Sequence, residues 1–282
     1  MFATADLAAR IDAAEGRLCA DIVRASKEGQ AETRSLVTPL AGGLVVYAAP
    51  GSPMNKGIGI AITESLEEAP LAAVEEEWRD RNEPIRIELS SLARPEAAAL
   101  LTNRGYRLTG FENQLGCALQ DWSVLGSGLR AQGSGAPIVV ETLAAADEKL
   151  WRDVVVDGFA HPDASPTAHE VFPREVLDDI FVTLGRTSGF RRYVARIDGH
   201  AAGAASLRID GDIAQLAGAA TLPAFRRRGV QTALLRTRLE DARDAGCALA
   251  VVTTQPGSTS QANSQQRGFA LLYTRAVLVR SW

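Results

Sequence analysis

Three consecutive arginines, Arg226, Arg227 and Arg228, stand directly before Gly229 in the stretch "TLPAFRRRGVQTALL" (221–235). A guanidinium is built to bridge the oxygens of a phosphate. A glycine lets the backbone take positive φ or come close to a ligand. The residues that follow read as a helix, whose first amides lack partners within the helix and carry the positive end of its dipole. Strand, tight loop and helix start together make an anion site suited to phosphate. The competing reading is a solvated basic helix start. Arginines there oppose the helix dipole at a cost of about a few tenths of a kcal/mol unless an anion offsets them.

The positive charge is local. The chain has 30 Lys+Arg against 34 Asp+Glu, a formal net charge of −4, which leaves no extended basic face for nucleic acid. Neither GxxxxGK[ST] nor a GxGxxG after a strand is present, which argues against those nucleotide-binding loops. A second candidate segment is "GFAHPDASPTAHE" (158–170), with His161, Asp163, His169 and Glu170 clustered in a chain that has 3 histidines. Such a loop suits acid–base work or acceptor binding, although loop histidines are also common as solvated residues. Glu141, on a strand, is another candidate base. Cys19, Cys117 and Cys247 are far apart and odd in number. With no HExxH, Cys pair or spaced carboxylates, no metal is expected. The cysteine usage, the acidic residues near the N-terminus and the lack of a long apolar run point to a cytoplasmic protein without membrane association.

The elements that position these residues follow from periodicity and breakers. Leu7, Ile11, Leu18 and Ile22 mark an amphipathic helix over 5–24. Strands are expected at 43–49, 57–63, 85–92 and 107–119, with helices around Leu71, Val74 and Trp78 and over 94–106. Residues 123–136, "SVLGSGLRAQGSGA", form the best linker. A second series follows: strand 137–143, helices around Leu150–Val155 and Val176–Leu184, strands at 190–197, 201–209 and 212–222, helix 229–245, strand 248–254, helix 260–267 and strand 269–280.

The halves repeat. At a shift of 163, residues 84–115 fall on 247–278 without a gap, and Arg104-Gly105-Tyr106 meets Arg267-Gly268-Phe269. This points to a duplicated fold. Alternating strands and helices with several consecutive strands give a mixed α/β (α+β) sheet.

"ATLPAFRRRGVQTALL" resembles the acyl-CoA loop of the GNAT superfamily of N-acetyltransferases, Q/R-x-x-G-x-G/A. Arg226 and Gly229 match, and Gln231 stands where the family has Gly or Ala. "NSQQRGF" (263–269) is similar to the family's closing helix and G-F. The resemblance implies two GNAT-like domains, each a mixed, mostly antiparallel sheet flanked by helices, with a splayed central strand in the second. It implies a degenerate domain over 1–122 and a catalytic domain over 137–282. At the same shift the loop's counterpart in the first half is Thr63-Glu64-Ser65-Leu66 followed by Glu67 and Glu68. Those three carboxylates would repel a diphosphate.

The resemblance further implies acetyl-CoA as cosubstrate, and a ternary complex in which an amine attacks the thioester. The diphosphate would lie on the amides of Arg227, Arg228, Gly229, Val230, Gln231 and Thr232, beside Arg226. Pantetheine would pass the small residues ending the central strand, Ala220, Thr221 and Leu222. Asn263 and Gln266 would line the other wall. The oxyanion donor is expected at the amide near Thr221 or Leu222. The base is left between His161, Glu141 and a water chain, and the acceptor segment is expected to include Asp163, His169 and Glu170. The family's usual acid, a tyrosine, is replaced by Ser264, and Tyr273 is an alternative source of that proton. The expected partner is a small-molecule or peptide amine, with the chain a monomer or homodimer. A non-catalytic acyl-CoA sensor remains the alternative.

Overall fold

The computed structural model describes residues 2–27, 36–120, 122, 136–161 and 173–282. Most of the expected linker, and Asp163, His169 and Glu170, lie outside the described residues. Two compact units emerge. The first holds residues 1–115, 253–256 and 271–282, and the second 116–252 and 257–270. From the sequence, 271–282 was expected to stay with the half that precedes it; instead it joins the first unit through strand pairing described below.

The first unit contains helix α1 (Ala5–Lys27), strands β1 (Leu36–Leu40), β2 (Gly43–Tyr47) and β3 (Lys56–Ile58), and helix α2 (Glu68–Arg79). β4 (Ile85–Ser90), α3 (Pro95–Asn103) and most of β5 (Arg107–Ala118) complete its contiguous part. The chain's last strand, β11 (Ala270–Arg280), pairs antiparallel with β4 from Arg275–Ser90 to Arg280–Ile85. β1, β2 and β3 pair antiparallel in turn, and β3 runs parallel to β4. The pattern "IRIELS" is buried almost throughout, as a strand flanked on both edges and covered on both faces must be. Pro95 opens α3, where its missing N–H costs nothing, and Gly105 at φ 88 follows its end. Trp78 is fully buried, edge-on to Tyr47 at 5.4 Å. The strand expected over 57–63 is shorter: Gly59 (φ 71) and Ala61 (φ 62) turn the chain after Ile58.

The interior of this unit also holds charge. Arg275 is fully buried, and its guanidinium donates to Asp12, to Glu15 at 2.7 Å and to Glu88 at 3.4 Å. Lys56 reaches Glu15 and Glu88. Asp12, also fully buried, further accepts from the Tyr273 hydroxyl. Nothing in the amphipathic pattern of α1 foreshadows a buried aspartate.

The second unit contains β6 (Ile138–Leu143), α4 (Glu148–Ala160), α5 (Arg174–Gly185), β7 (Phe190–Ile197), β8 (His200–Asp210) and β9 (Ile213–Thr221). Then come a 3₁₀ turn (Pro223–Phe225), α6 (Val230–Asp244), most of β10 (Leu249–Thr254) and α7 (Thr259–Gln265). β6 to β9 form an antiparallel meander, and β10 joins β9 in parallel. Trp151 of α4 anchors the core, fully buried against Phe181 and Phe190 with ring centroids at 5.5 and 5.3 Å. Its Nε1 donates to the Ala205 carbonyl of β8 at 3.0 Å. The repeat is visible in the fold. Strand, helix, left-handed glycine and strand recur in order, with Gly105 (φ 88) answered by Gly268 (φ 89) at the shift of 163.

Candidate functional site

The site is built on β9. Its pairing with β8 slips between Ala204 and Ser206, which oppose Ala220 and Ala217. One extra residue is therefore accommodated on β9, and Gly218 supplies the positive φ of 53. This is a β-bulge, which bends the strand. On the other side, β9 pairs with β10 only through Ile213–Leu249, Ala214–Ala250 and Gln215–Val251. β9 then continues to Thr221 without that neighbour, so the two parallel strands splay. The bulge and the splay are what the sequence could only suggest through "GAATL" (218–222).

Close packing fixes the bent end. A Cβ on Gly158 of α4 would lie 2.5 Å from the Ala220 Cβ, and one on Gly203 of β8 would lie 2.7 Å from the Ala220 carbonyl oxygen. Both glycines let neighbouring elements press on the last residues of β9. The Leu222 amide donates to the Ala202 carbonyl at 3.0 Å. In an antiparallel pair the next residue's N–H faces the opposite edge, so the Thr221 amide faces the side that β10 has left. Of the two amides expected to polarise a carbonyl, Leu222 is engaged within the sheet and Thr221 is turned outward.

After the 3₁₀ turn, Arg227 takes φ 59 and Gly229 φ 88. The first helical bond of α6 runs from the Ala233 amide to the Gly229 carbonyl. The amides of Val230, Gln231 and Thr232 precede it, and among the described residues no side-chain cap is made at Gly229. Neither Arg227 nor Arg228 forms an ion pair among the described residues. The Arg228 guanidinium lies over the Phe225 ring, 5.5 Å from its centroid. Arg226 donates to the His161 carbonyl and so ties the loop to the end of α4. Gln231 Nε2 donates to Thr221 Oγ1 at 2.9 Å.

A cavity of about 430 Å³ lies beside the end of β9, lined by Asp153, Val154, Asp157, Arg174 and Leu222. Arg174 pairs with Asp157 at 3.3 Å. His161 is exposed, and its Nδ1 is 2.9 Å from the Asp157 carbonyl. With Nδ1 donating there, Nε2 keeps the lone pair.

The structure does not bring every expected residue together. Glu141 is held by Arg196, Oε2 to Nε at 2.9 Å. Tyr273 belongs to the first unit, where its hydroxyl donates to Asp12, and burial drives its pKa far above the ordinary tyrosine value. Ser264 is buried and donates to the Ser260 carbonyl at 2.9 Å. Asn263 gives its carbonyl to Arg267 at 3.0 Å, and Gln266 is exposed. Sequence reasoning missed three contributors. Arg267, from the R-G-F element, donates to Thr232 Oγ1 at the start of α6, and burial lowers its pKa. Asp153 and Asp157, one turn apart on α4, supply the acidic lining of the cavity. Their i, i+4 spacing was readable, but not the wall they face. Among the described residues no group of three His, Cys, Asp or Glu is placed to hold a metal ion, and no helix is long and apolar enough to cross a membrane.

Residues 158–269 match the model of the Acetyltransferase (GNAT) family. A GCN5-related N-acetyltransferase from Kribbella flavida superposes with a TM-score of 0.66 at 19% identity, covering 97% of this chain and 95% of that one. A tandem GNAT protein from the clavulanic acid biosynthesis pathway gives 0.61 at 16% identity, covering 98% and 97%. A GCN5-related N-acetyltransferase from Sphaerobacter thermophilus gives 0.57 at 13%, covering 99% and 94%. No curated protein matches the sequence. At these identities the structural likeness is one of fold. The 158–269 segment, with its splayed strand and helix start, is thus similar to the acetyltransferase (GNAT) family, and nearly the whole chain shares the fold of GNAT proteins, a tandem GNAT protein among them.

Proposed function

We propose that the protein moves an acetyl group from acetyl-CoA to a primary amine by direct attack in a ternary complex. One observation carries the reading: a strand that loses its parallel neighbour after Gln215 leads into a helix whose first amides have no side-chain cap. The open strand edge fits a pantetheine arm seeking backbone partners. The helix start fits a diphosphate, with Arg227 and Arg228 supplying charge that no carboxylate among the described residues pairs with. The catalytic part then lies within 137–270, and 1–122 is a GNAT-like half without a cofactor loop, which takes in 271–282, with 123–136 as the linker.

The chain's own groups would divide the work as follows. The Thr221 amide faces the open edge and would donate to the thioester carbonyl as charge develops on its oxygen. His161 Nε2 would accept a proton from the acceptor ammonium, whose pKa is ordinarily ~10. The cavity walled by Asp153 and Asp157 would hold the amine end of a small molecule or peptide. Holding both reactants is worth several kcal/mol of effective molarity, roughly 7–11 in well-oriented cases. A thiolate of pKa ~8.5 leaves tolerably without an acid, which suits a site whose usual tyrosine position is the buried Ser264.

The test is calorimetry with coenzyme A, followed by thiol release from acetyl-CoA across a panel of amines, aminoglycosides, amino acids and peptides. Saturable binding with amine-dependent release is expected. No binding would overturn the reading. Binding without release from any amine would favour a non-catalytic acyl-CoA sensor, which the buried Ser264 also suits.

A further inference from the structure

Among the described residues, the bent end of β9 has a strand partner on one edge only. From Leu216 to Thr221 it lacks the parallel neighbour that supports its first three residues. The packing of Gly158 and Gly203 bears on Ala220, one residue short of the strand's end at Thr221. The Thr221 amide nonetheless has to keep one direction if it is to donate to a carbonyl, since oxyanion stabilisation depends on donors fixed before the reaction.

One side chain bridges the gap between this strand end and α6. Gln231, the second residue of the helix, donates from Nε2 to Thr221 Oγ1 at 2.9 Å. The bond spans the loop that carries the three arginines. It joins the residue bearing the outward amide to the first, well-packed turn of the helix, where Val230 and Leu234 are buried. The motif position that Gln231 fills would otherwise hold Gly or Ala, which has no side chain able to make this bond. The backbone amide of Gln231 remains available to an anion, because only its side chain is engaged.

On the acetyl-CoA reading above, we propose that Gln231 is a positioning residue that holds the Thr221 amide toward the acyl carbonyl through its hydrogen bond to Thr221 Oγ1. Its side chain touches neither substrate nor reacting atoms. Its effect falls on the polarisation of the carbonyl, while the diphosphate contacts stay in place.

The test separates alignment from binding. Acetyl-CoA carrying ¹³C at the carbonyl is bound to the protein, and the carbonyl stretch is read by difference infrared spectroscopy, with affinity from calorimetry. The wild-type protein should lower the stretching frequency relative to the free thioester. Gln231→Ala should return it toward the free value while changing the dissociation constant less than about threefold, and should lower kcat about tenfold with little change in KM. Thr221→Val should reproduce this, and Thr221→Ser, which keeps the accepting oxygen, should retain the shift. Thermal melting of each variant reports folding, and because the bond can be cut from either side, a misfolded variant does not end the test. A full shift in Gln231→Ala, or a wild-type complex with an unshifted carbonyl, overturns the inference and leaves the acetyl-CoA reading standing. Loss of binding in Gln231→Ala also overturns it, placing Gln231 in diphosphate binding. If the wild-type protein binds no acetyl-CoA, the functional reading fails and the inference goes with it.

Discussion

The two units each run a strand through a loop into a helix, and the two helix starts meet opposite charge. In the first unit, α2 follows Thr63–Glu67 and begins with Glu68 in its first turn. A carboxylate there complements the helix dipole, and Glu68 is paired with Arg104 at 2.9 Å. Its N-cap residue, like that of α6, makes no side-chain cap, but its dipole meets a carboxylate from within the chain. In the second unit, α6 begins after a left-handed glycine with arginines in front and no carboxylate in its first turn. That arrangement is unfavourable on its own and calls for an anion from outside. On the proposed reading, the same backbone plan therefore yields a helix start complemented by its own carboxylate in one half and one that takes an anion in the other, and a handful of charges make the difference.

The contrast breaks most sharply at Gly229. Gly229→Asp places a carboxylate where the diphosphate is proposed to sit. Aspartate tolerates positive φ better than most residues, and a Cβ there meets only the Ile138 Cδ1 at 3.6 Å, so the fold should survive. Affinity for coenzyme A should fall by roughly two orders of magnitude. Gly229→Asn, with the same shape and no charge, should lose far less. Calorimetry on both reads the electrostatic part directly. Arg228→Glu should cost next most, about tenfold, with a loss that shrinks as salt rises. An equal loss at every ionic strength would mean that Arg228 acts through its contact with Phe225 instead.

Inside the first unit the comparison sharpens through pH. Burial, then the nearby Glu88 carboxylate, pushes the Glu112 carboxyl up to about 7, while Arg275 and Lys56 hold Glu15 down at about 2. Between its ordinary value of 4.5 and about 7, folded Glu112 binds more proton than the unfolded chain does. Stability carried by this group is thus present at acid pH and lost as pH rises through that window. Asp12, raised by its own burial, slopes the same way. Glu15 slopes oppositely, its contribution being lost only as pH falls from 4.5 toward 2. Glu112→Gln should flatten the fall in melting temperature between pH 5 and 7. Among the described residues the helix start of α6 has no such buried carboxylate, so coenzyme A affinity across that range should not follow the same titration.

Much of this contrast was legible in the sequence, and the reason is locality. Arg226–Gly229 against Thr63–Leu66 is a difference in residue type at matched positions. The left-handed glycines, the apolar runs of β4 and β10 and the start of α6 depend on neighbours a few residues away. What the sequence hid is non-local. The pairing of β11 with β4 joins residues nearly two hundred apart, and the cluster around Arg275 exists only because of it. Tyr273 looked available because nothing in its neighbourhood announces Asp12. Glu141 looked available because Arg196 meets it only across β6 and β7. Gln231 looked like a departure from a motif, and its partner Thr221 becomes visible only when the loop closes. The short β3 is a local error: "GIGIAIT" alternates like a strand, but Gly59 and Ala61 turn the chain.

The smallest effect tests the contrast from the satisfied side. Removing the first-turn carboxylate of α2 by Glu68→Gln should cost about 0.3–1 kcal/mol, the usual value of one charge at an exposed helix end. Glu68 is largely exposed, and Arg104 keeps its second partner Glu75, so the ion pair itself adds little. For a chain of this size the melting temperature should fall by about 1–3 °C, with coenzyme A affinity unchanged. A carboxylate removed from one helix start should thus lower stability and leave binding alone, whereas a carboxylate added to the other should weaken binding about a hundredfold and cost stability through the left-handed backbone it must adopt. If Glu68→Gln instead changed coenzyme A affinity, the two helix starts would not be independent, and the division of labour between a closed half and a receptive half would have to be abandoned.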